Sequence, residues 1–334
     1  MSFSGTQYGD ISPRVGIFAV ANMLSFADTQ IVLDKFAKVE PVPKNKGLVV
    51  RFRRPVPFEV NPAQLVEGVT PAPQALQYED VQTTLAQYGN WVPFTDVIAD
   101  THEDPNVRVM SELCGKQAAE TKELITWNEI RGGTQVFFQG GVANRGLVAA
   151  PISIGTIRAV VRQLKRNHAR KITKVLSASQ NIATEPVNAS YVAVAHSDLE
   201  QDIRALATFT PVERYSSGRP LHPNELGRVE EVRIILSPML EPFRGAGAVG
   251  ASGVLLTNDR ADVYPLIIFG EDAYGVTPLK GMDSANIAVM NPKMAASYED
   301  PLGQRGFVAW KMWYSAVRLN EQWMARIETA VSAL

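Results

Sequence analysis

The stretch YVAVAHSDLEQDIRAL, residues 191–206, decides how the chain is read. It sets His196, Ser197 and Asp198 side by side at the end of an apolar run, the three residue types of a serine hydrolase. Adjacency argues against a triad. In a triad the imidazole lies between nucleophile and carboxylate, whereas neighbours on an extended backbone point to opposite faces. Ser197 followed by Glu200 instead spells the S-x-x-E capping box, and Leu199, Ile203 and Leu206 continue at helical spacing. Ser197 is expected to accept from the backbone of Glu200, Glu200 to return a bond, and Asp198 to complement the helix dipole. The stretch reads as a strand running into a capped helix.

On its N-terminal side lies SIGTIRAVVRQLKRNHARKITK, residues 153–174, a helix with Ile157, Val161 and Leu164 on one side. Arg158, Arg162, Lys165 and Arg166 share the other, and no acidic residue occurs between Arg158 and Lys174. Such a face is a solvated surface, a pairing surface for acidic neighbours, or a non-specific and salt-dependent phosphate contact. On the C-terminal side VEEVRIILS and DVYPLIIFG, like YVAVAH, are short β-branched strands separated by turns. The order is mixed α and β.

Further toward the N-terminus, residues 15–38 (VGIFAVANMLSFADTQIVLDKFAK) predict a helical arm. Prolines crowd the stretch from Pro41 to Pro73 and exclude a compact helix there. Within it GLVVRFRRPVPFEV alternates, Phe52 on one side and Arg51 and Arg53 on the other, and LVEGVT (residues 65–70) can supply a returning strand. A two-stranded projection of this kind is marginal alone and needs another surface to rest on, such as a second subunit. Arg51, Phe52, Arg53, Arg54 and Phe58 are its candidate intersubunit contacts.

Residues 102–130 form one long amphipathic helix by pattern, starting at Asp104-Pro105, carrying Val107, Met110, Cys114, Ala118, Thr121, Ile125 and Asn128 on one face and stopping at Gly132-Gly133. It would run about 35–40 Å. At the C-terminus RGFVAWKMWYSAVRLNEQWMARIE alternates, with Val308, Trp310, Met312 and Tyr314 on one face. After Asn320 a strand and a helix fit equally.

Catalysis has little foothold. GAGAVG, residues 245–250, matches the dinucleotide fingerprint literally, but Pro238 and Pro242 precede it and Gly253 and Asn258-Asp259 follow, so the strand and helix that the motif needs are missing and a loose glycine loop is the better reading. His102, His168, His196 and His222 are scattered without metal-ligand spacing, and neither a G-x-S-x-G elbow nor a P-loop occurs. No enzyme, metal or cofactor is expected. With 33 basic against 34 acidic residues the net charge is −1, so attraction to nucleic acid must be local. The single cysteine, Cys114, fits a reducing cytoplasm, and the absence of a signal peptide or membrane-length apolar run predicts a soluble intracellular product.

An arm, a basic projection, a long helix, a mixed region and a long aromatic strand make sense in a chain that lies across copies of itself. LAQYGNWVPFTDVIAD, YVAVAHSDLEQDIRAL, LGRVEEVRIILSP, DVYPLIIFGEDAYG and DPLGQRGFVAWKMWYSAVRLN, in this order, resemble the major capsid proteins of tailed bacteriophages with the Hong Kong 97 fold, in particular the phage N-four-like branch. The resemblance implies an α+β fold with an N-terminal arm (1–35), an extended loop reaching over an adjacent subunit (36–78), a peripheral domain with a spine helix (79–145), an axial domain (146–298) and peripheral return strands (299–334). It further implies pentamers and hexamers in an icosahedral shell around double-stranded DNA, assembled in a bacterial cytoplasm. The implied partners are a portal protein, a scaffolding protein supplied separately because few residues precede the arm, and in some shells a decoration protein. The alternative is a nucleic-acid-binding protein acting through residues 158–174.

Overall fold

The computed structural model describes residues 31–333 apart from 63, 65–66, 69, 71, 102–105, 178–182, 216–219, 280–285, 291, 293–299 and 301. Most of the expected helical arm, His102 and the Asp104-Pro105 signal lie outside the described residues.

After a 3-10 turn at Asp34–Phe36 and the short strand β1 (Lys38–Val39), strands β2 (Val49–Pro55) and β3 (Tyr78–Thr84) form a hairpin, and β3 continues through Leu85 into β4 (Ala86–Thr95). Helix α1 (Asp96–Thr101) and the long α2 (Asn106–Arg131) follow, then β5 (Val136–Phe138), α3 (Ile154–Arg166), β6 (Ile172–Ser177) and β7 (Ala183–Ala195). Next come the short α4 (Glu200–Arg204), β8 (Phe209–Pro211), β9 (Glu225–Val229), β10 (Val232–Leu236), a ribbon of β11 (Leu256–Thr257) and β12 (Arg260–Ala261), β13 (Tyr264–Phe269) and β14 (Tyr274–Val276). The chain ends through β15 (Asn286–Met290), β16 (Arg305–Tyr314), β17 (Ala316–Arg318) and β18 (Met324–Thr329).

The largest sheet runs β5-β18-β13-β7-β10-β9-β8, with β6 added to β7. Its centre is the YVAVA of the decisive stretch: β7 pairs parallel with β10 and antiparallel with β13. Tyr191, Ala193 and Ala195 face a core with Ile157, Val160 and Leu164 of α3 and Ile203 of α4. Val192 and Val194 face the opposite core with Trp127 and Ile130 of α2 and with Val32, Leu33 and Phe36. Both faces are covered, which is why the central strands read as unbroken apolar runs rather than alternating ones. Each fully buried large apolar side chain contributes about 1.5–3 kcal/mol.

Helix α2 belongs to two cores. Its first half lays Met110, Cys114 and Ala118 on Phe94, Val308, Trp310 and Met312 of the sheet β15-β16-β4, while its last turns enter the large-sheet core. At about 1.5 Å per residue it is about 39 Å long. The expected face continues past Ala118 to Ile125, which packs partly buried on the same core, but fails at Asn128, which is exposed. Beyond Ala118 the buried residues are Ala119, Glu123, Thr126, Trp127 and Ile130, because the second core meets the helix from another side.

Other expectations are corrected. The strand returning to β2 is β3, YEDVQTT, and not LVEGVT, whose Glu67 and Gly68 are in a turn. Three cross-strand arginine–acid pairs fix that register, and LVEGVT offers a single acid. After Asn320 a 3-10 turn at Glu321–Trp323 leads into a strand, and β18 joins the large sheet between β5 and β13. Strand β15, placed with the axial segment by sequence, pairs with β16.

The glycine loop is packed. Gly247 N–H donates to Ala261 O at 2.8 Å and Ala248 N–H to Val148 O at 3.0 Å. A Cβ on Gly247 would lie 2.7 Å from Val148 O and 2.8 Å from Ala261 O. Both obstacles are backbone, so Gly247→Ala is expected to lower subunit stability by about 1–3 kcal/mol in urea unfolding.

Candidate assembly surfaces

The hairpin is built from opposed charges. Arg51 lies opposite Gln82, Arg53 opposite Asp80 and Arg54 opposite Glu79. Arg53 Nε donates to Asp80 Oδ1 at 3.0 Å, Arg51 reaches the same carboxylate at 3.5 Å, and Arg54 pairs with Glu79. The hydrogen bond from Arg53 holds the Asp80 carboxyl below its ordinary range. These cross-strand pairs set register rather than supply large stability, since they are solvent-exposed. At the base Leu85 is buried, and the Thr83 and Ser315 hydroxyls meet at 2.5 Å. Beyond that base, among the described residues, Phe58 is 56% and Val60 92% exposed, and Val56, Leu76 and Tyr78 are also exposed, Tyr78 with the Arg53 guanidinium 5.2 Å over its ring.

A second uncovered apolar surface lies on the sheet β15-β16-β4. Registers place Trp91 beside Ala309 and Ala288, and Phe307 beside Met290, on the face away from α2. Trp91 is 60% exposed and meets the Phe307 ring edge-on at 6.5 Å, and Met290 is also exposed.

The segment leading out of the arm is clamped to the body. The Glu123 carboxylate accepts from Val32 N–H at 3.2 Å and from Leu33 N–H at 3.2 and 3.3 Å. Tyr274 Oη donates to Leu33 O at 2.6 Å, and Tyr314 Oη donates to Asp34 Oδ1 at 2.6 Å. Lys122 approaches Asp34 at 3.7 Å. Burial raises Glu123 to about 8, with Asp34 adding to the shift and the two backbone donors opposing it. Burial also pushes Tyr274 and Tyr314 well above their ordinary value.

The basic helix α3 packs its apolar side inward and turns its cations toward the β9–β10 turn. Arg158 Nε meets Glu230 at 2.8 Å, Lys165 meets Glu231 at 2.7 Å, and Lys171 meets Glu231 at 2.9 Å. Bonds from Lys165 and Lys171 lower the Glu231 carboxyl. Part of the basic run is therefore a pairing surface for acids of the same chain.

Residues 78–327 match the family described as phage capsid protein, most of the chain. The chain belongs to the phage capsid protein family. The major capsid protein of Pseudomonas phage KPP21 is 24% identical over 264 residues, which are 73% of this chain and 66% of that protein. The chain thus spans just under two thirds of that relative's length. The capsid of Ralstonia phage GP4 superposes with a TM-score of 0.67 at 12% identity, over 100% of this chain and 95% of that one. The capsid subunit of cyanophage Pam1 gives 0.62 at 13% identity, over 100% and 99%. The fold is the α+β capsid fold of the Hong Kong 97 type, and the chain is a structural capsid protein.

In this capsid chain the helix cap expected from Ser197 and Glu200 is replaced. His196 is the N-cap, its Nδ1 accepting from Asp198 N–H at 3.1 Å. The strand ends one residue earlier than a serine cap requires, a 3-10 turn intervenes at Ser197–Leu199, and Glu200 pairs with Arg204 at 2.8 Å instead of returning to Ser197. Asp198 accepts from Tyr264 Oη at 2.8 Å, so the apparent triad is a cap and a strand-to-turn tie. Of the hairpin candidates, Arg51, Arg53 and Arg54 turn to acids of their own hairpin, Phe52 is half-buried and Phe58 is open. Glu123 was not singled out from sequence. A glutamate within a polar-looking stretch of a helix gives no sign of burial, and its partners lie 90 residues away.

Proposed function

We propose that this chain is the major shell subunit of a tailed-phage head, assembling in a bacterial cytoplasm into pentamers and hexamers of an icosahedral capsid around double-stranded DNA. The observation that carries the reading is the pair of apolar surfaces left uncovered within one chain, the hairpin beyond Pro55 and the Trp91–Phe307–Met290 face of the sheet. Two different patches on one molecule make heterologous contacts, which generate rings where the rotation between copies closes. In this reading residues 1–35 are the arm, the extended loop runs to Thr84, α2 is the spine of the peripheral domain with β4, β15 and β16, and the large sheet is the core of the axial domain. Function is mechanical, with no chemistry performed, and a portal, a scaffolding protein, packaged DNA and in some shells a decoration protein are its partners.

Removing the hairpin tip around Asn61 tests the reading. Because Leu85 and Ser315 hold the base, the shortened subunit is expected to keep its unfolding midpoint yet fail to form closed shells by negative-stain microscopy. Normal, stable shells from the shortened chain would remove the hairpin from assembly. The rival role in nucleic-acid binding is disfavoured by the acids that face α3.

A further inference from the structure

Helix α3 and the β9–β10 turn enclose a groove of about 490 Å³ between Arg158, Arg162, Lys165 and Arg166 on one wall and Glu230 and Glu231 on the other. Arg158 and Lys165 are matched across it by Glu230 and Glu231. Among the described residues Arg162 and Arg166 have no acidic partner, though both line the same groove and are exposed. They stand four residues apart, one helical turn, on one face, where side chains lie about 5–6 Å apart at Cβ. Between and beneath them the lining is apolar, Val161 with Ile157 and Val229 under it.

We propose that this groove docks an acidic, amphipathic segment of a separate protein, with two carboxylates one turn apart seated on Arg162 and Arg166 and an apolar side chain over Val161. The groove already shows the chemistry, since Arg158 and Lys165 hold Glu230 and Glu231 across it. Guanidinium–carboxylate contacts of this type are charge-assisted and can be bidentate, which gives geometric selectivity as well as affinity. Duplex DNA fits the same observations less well. Its phosphate backbone has no apolar stripe, so the lining of Val161, Ile157 and Val229 would go unused. A helix laid in the groove by its apolar stripe uses both that lining and the two arginines one turn apart.

The test uses unassembled full-length subunits, so that its failure leaves the shell reading intact. A fluorescein-labelled helical peptide with glutamates one turn apart beside a leucine stripe is titrated by anisotropy, against the same peptide with glutamines and against a DNA duplex. The glutamate peptide is expected to bind saturably, and Arg162→Gln with Arg166→Gln to weaken it by about tenfold or more, the loss of at least one charge-assisted contact. Both side chains are exposed and, among the described residues, without an acidic partner, so the unfolding midpoint is expected not to move. Arg162→Glu with Arg166→Glu is a second variant, expected to abolish binding. Equal binding of the peptide to wild type and variants overturns the proposal. So does tighter binding of the duplex that displaces the peptide, which would make the groove a phosphate site. Absent peptide binding with altered self-association of the variants also overturns it, since the occupant would then be a second copy.

Discussion

Glu328→Ala is expected to destabilise the unassembled subunit by about 3–5 kcal/mol, the range for stripping the anion from a buried ionic cluster. The Glu328 side chain is fully buried on β18 and accepts from Arg145 Nε and a terminal nitrogen of Arg145 at 2.7 Å each, while Arg326 Nε lies 2.8 Å from it. Arg326 also donates to Arg131 O, and the Arg145 and Arg131 guanidiniums lie 3.6 and 4.9 Å from the centre of the Phe243 ring. Burial, abetted by Arg145 and Arg131, already lowers the Arg326 guanidinium from its ordinary value, and Glu328 is the group that opposes this. Without it two guanidiniums face each other in a partly buried site. Urea unfolding measures the loss. Replacing Glu328, Arg145 and Arg326 together by apolar residues of similar volume should recover most of it, because paired removal leaves no uncompensated charge. A Glu328→Ala cost below about 1 kcal/mol would mean that water reaches the cluster and screens it.

The second large effect is on pH. Glu123 titrates near 8 in the folded chain against 4.5 ordinarily, so between those values the folded state holds a proton that the unfolded state has released. Stability from this group is therefore greatest below about pH 4.5 and falls as pH rises toward 8, by up to about 1.4 kcal/mol per pH unit. Its surroundings are Asp34 and Lys122, which pair with each other, and the hydroxyls of Tyr274 and Tyr314, with the Val32 and Leu33 N–H groups pointing at the carboxylate. Glu123→Gln keeps an oxygen for those N–H groups and removes the proton. The wild type is expected to lose a few kcal/mol relative to Glu123→Gln between about pH 5 and pH 8, read by urea unfolding at both values. Parallel profiles for the two proteins would show that the carboxylate is not what the pH change reads.

What could be read beforehand divides along physical lines. YVAVAH, VEEVRIILS and DVYPLIIFG announce buried strands because apolar β-branched runs have few other uses, and all three lie in the central sheet. The long helix was legible from its period, but Asn128 was put on the wrong face because one period cannot describe a helix that serves two cores. Ser197 and Glu200 satisfied a local pattern, yet the side chain that caps is His196, since cap identity depends on where the strand releases the chain. Asp80 and Glu79 could have marked the returning strand, as an adjacent acid pair that meets Arg53 and Arg54, whereas LVEGVT carries a single acid. Glu123 and Glu328 were invisible, because their burial is made by partners distant in sequence.

The central claim is that one chain leaves its hairpin and its sheet face uncovered because other copies cover them. Electron microscopy of the full-length protein across a concentration series tests this most directly. The account predicts closed shells in which density for Tyr78–Thr84 and the segment beyond Pro55 lies across a neighbouring subunit. A monodisperse monomer at every concentration, or shells in which that hairpin folds back on its own body, would contradict it.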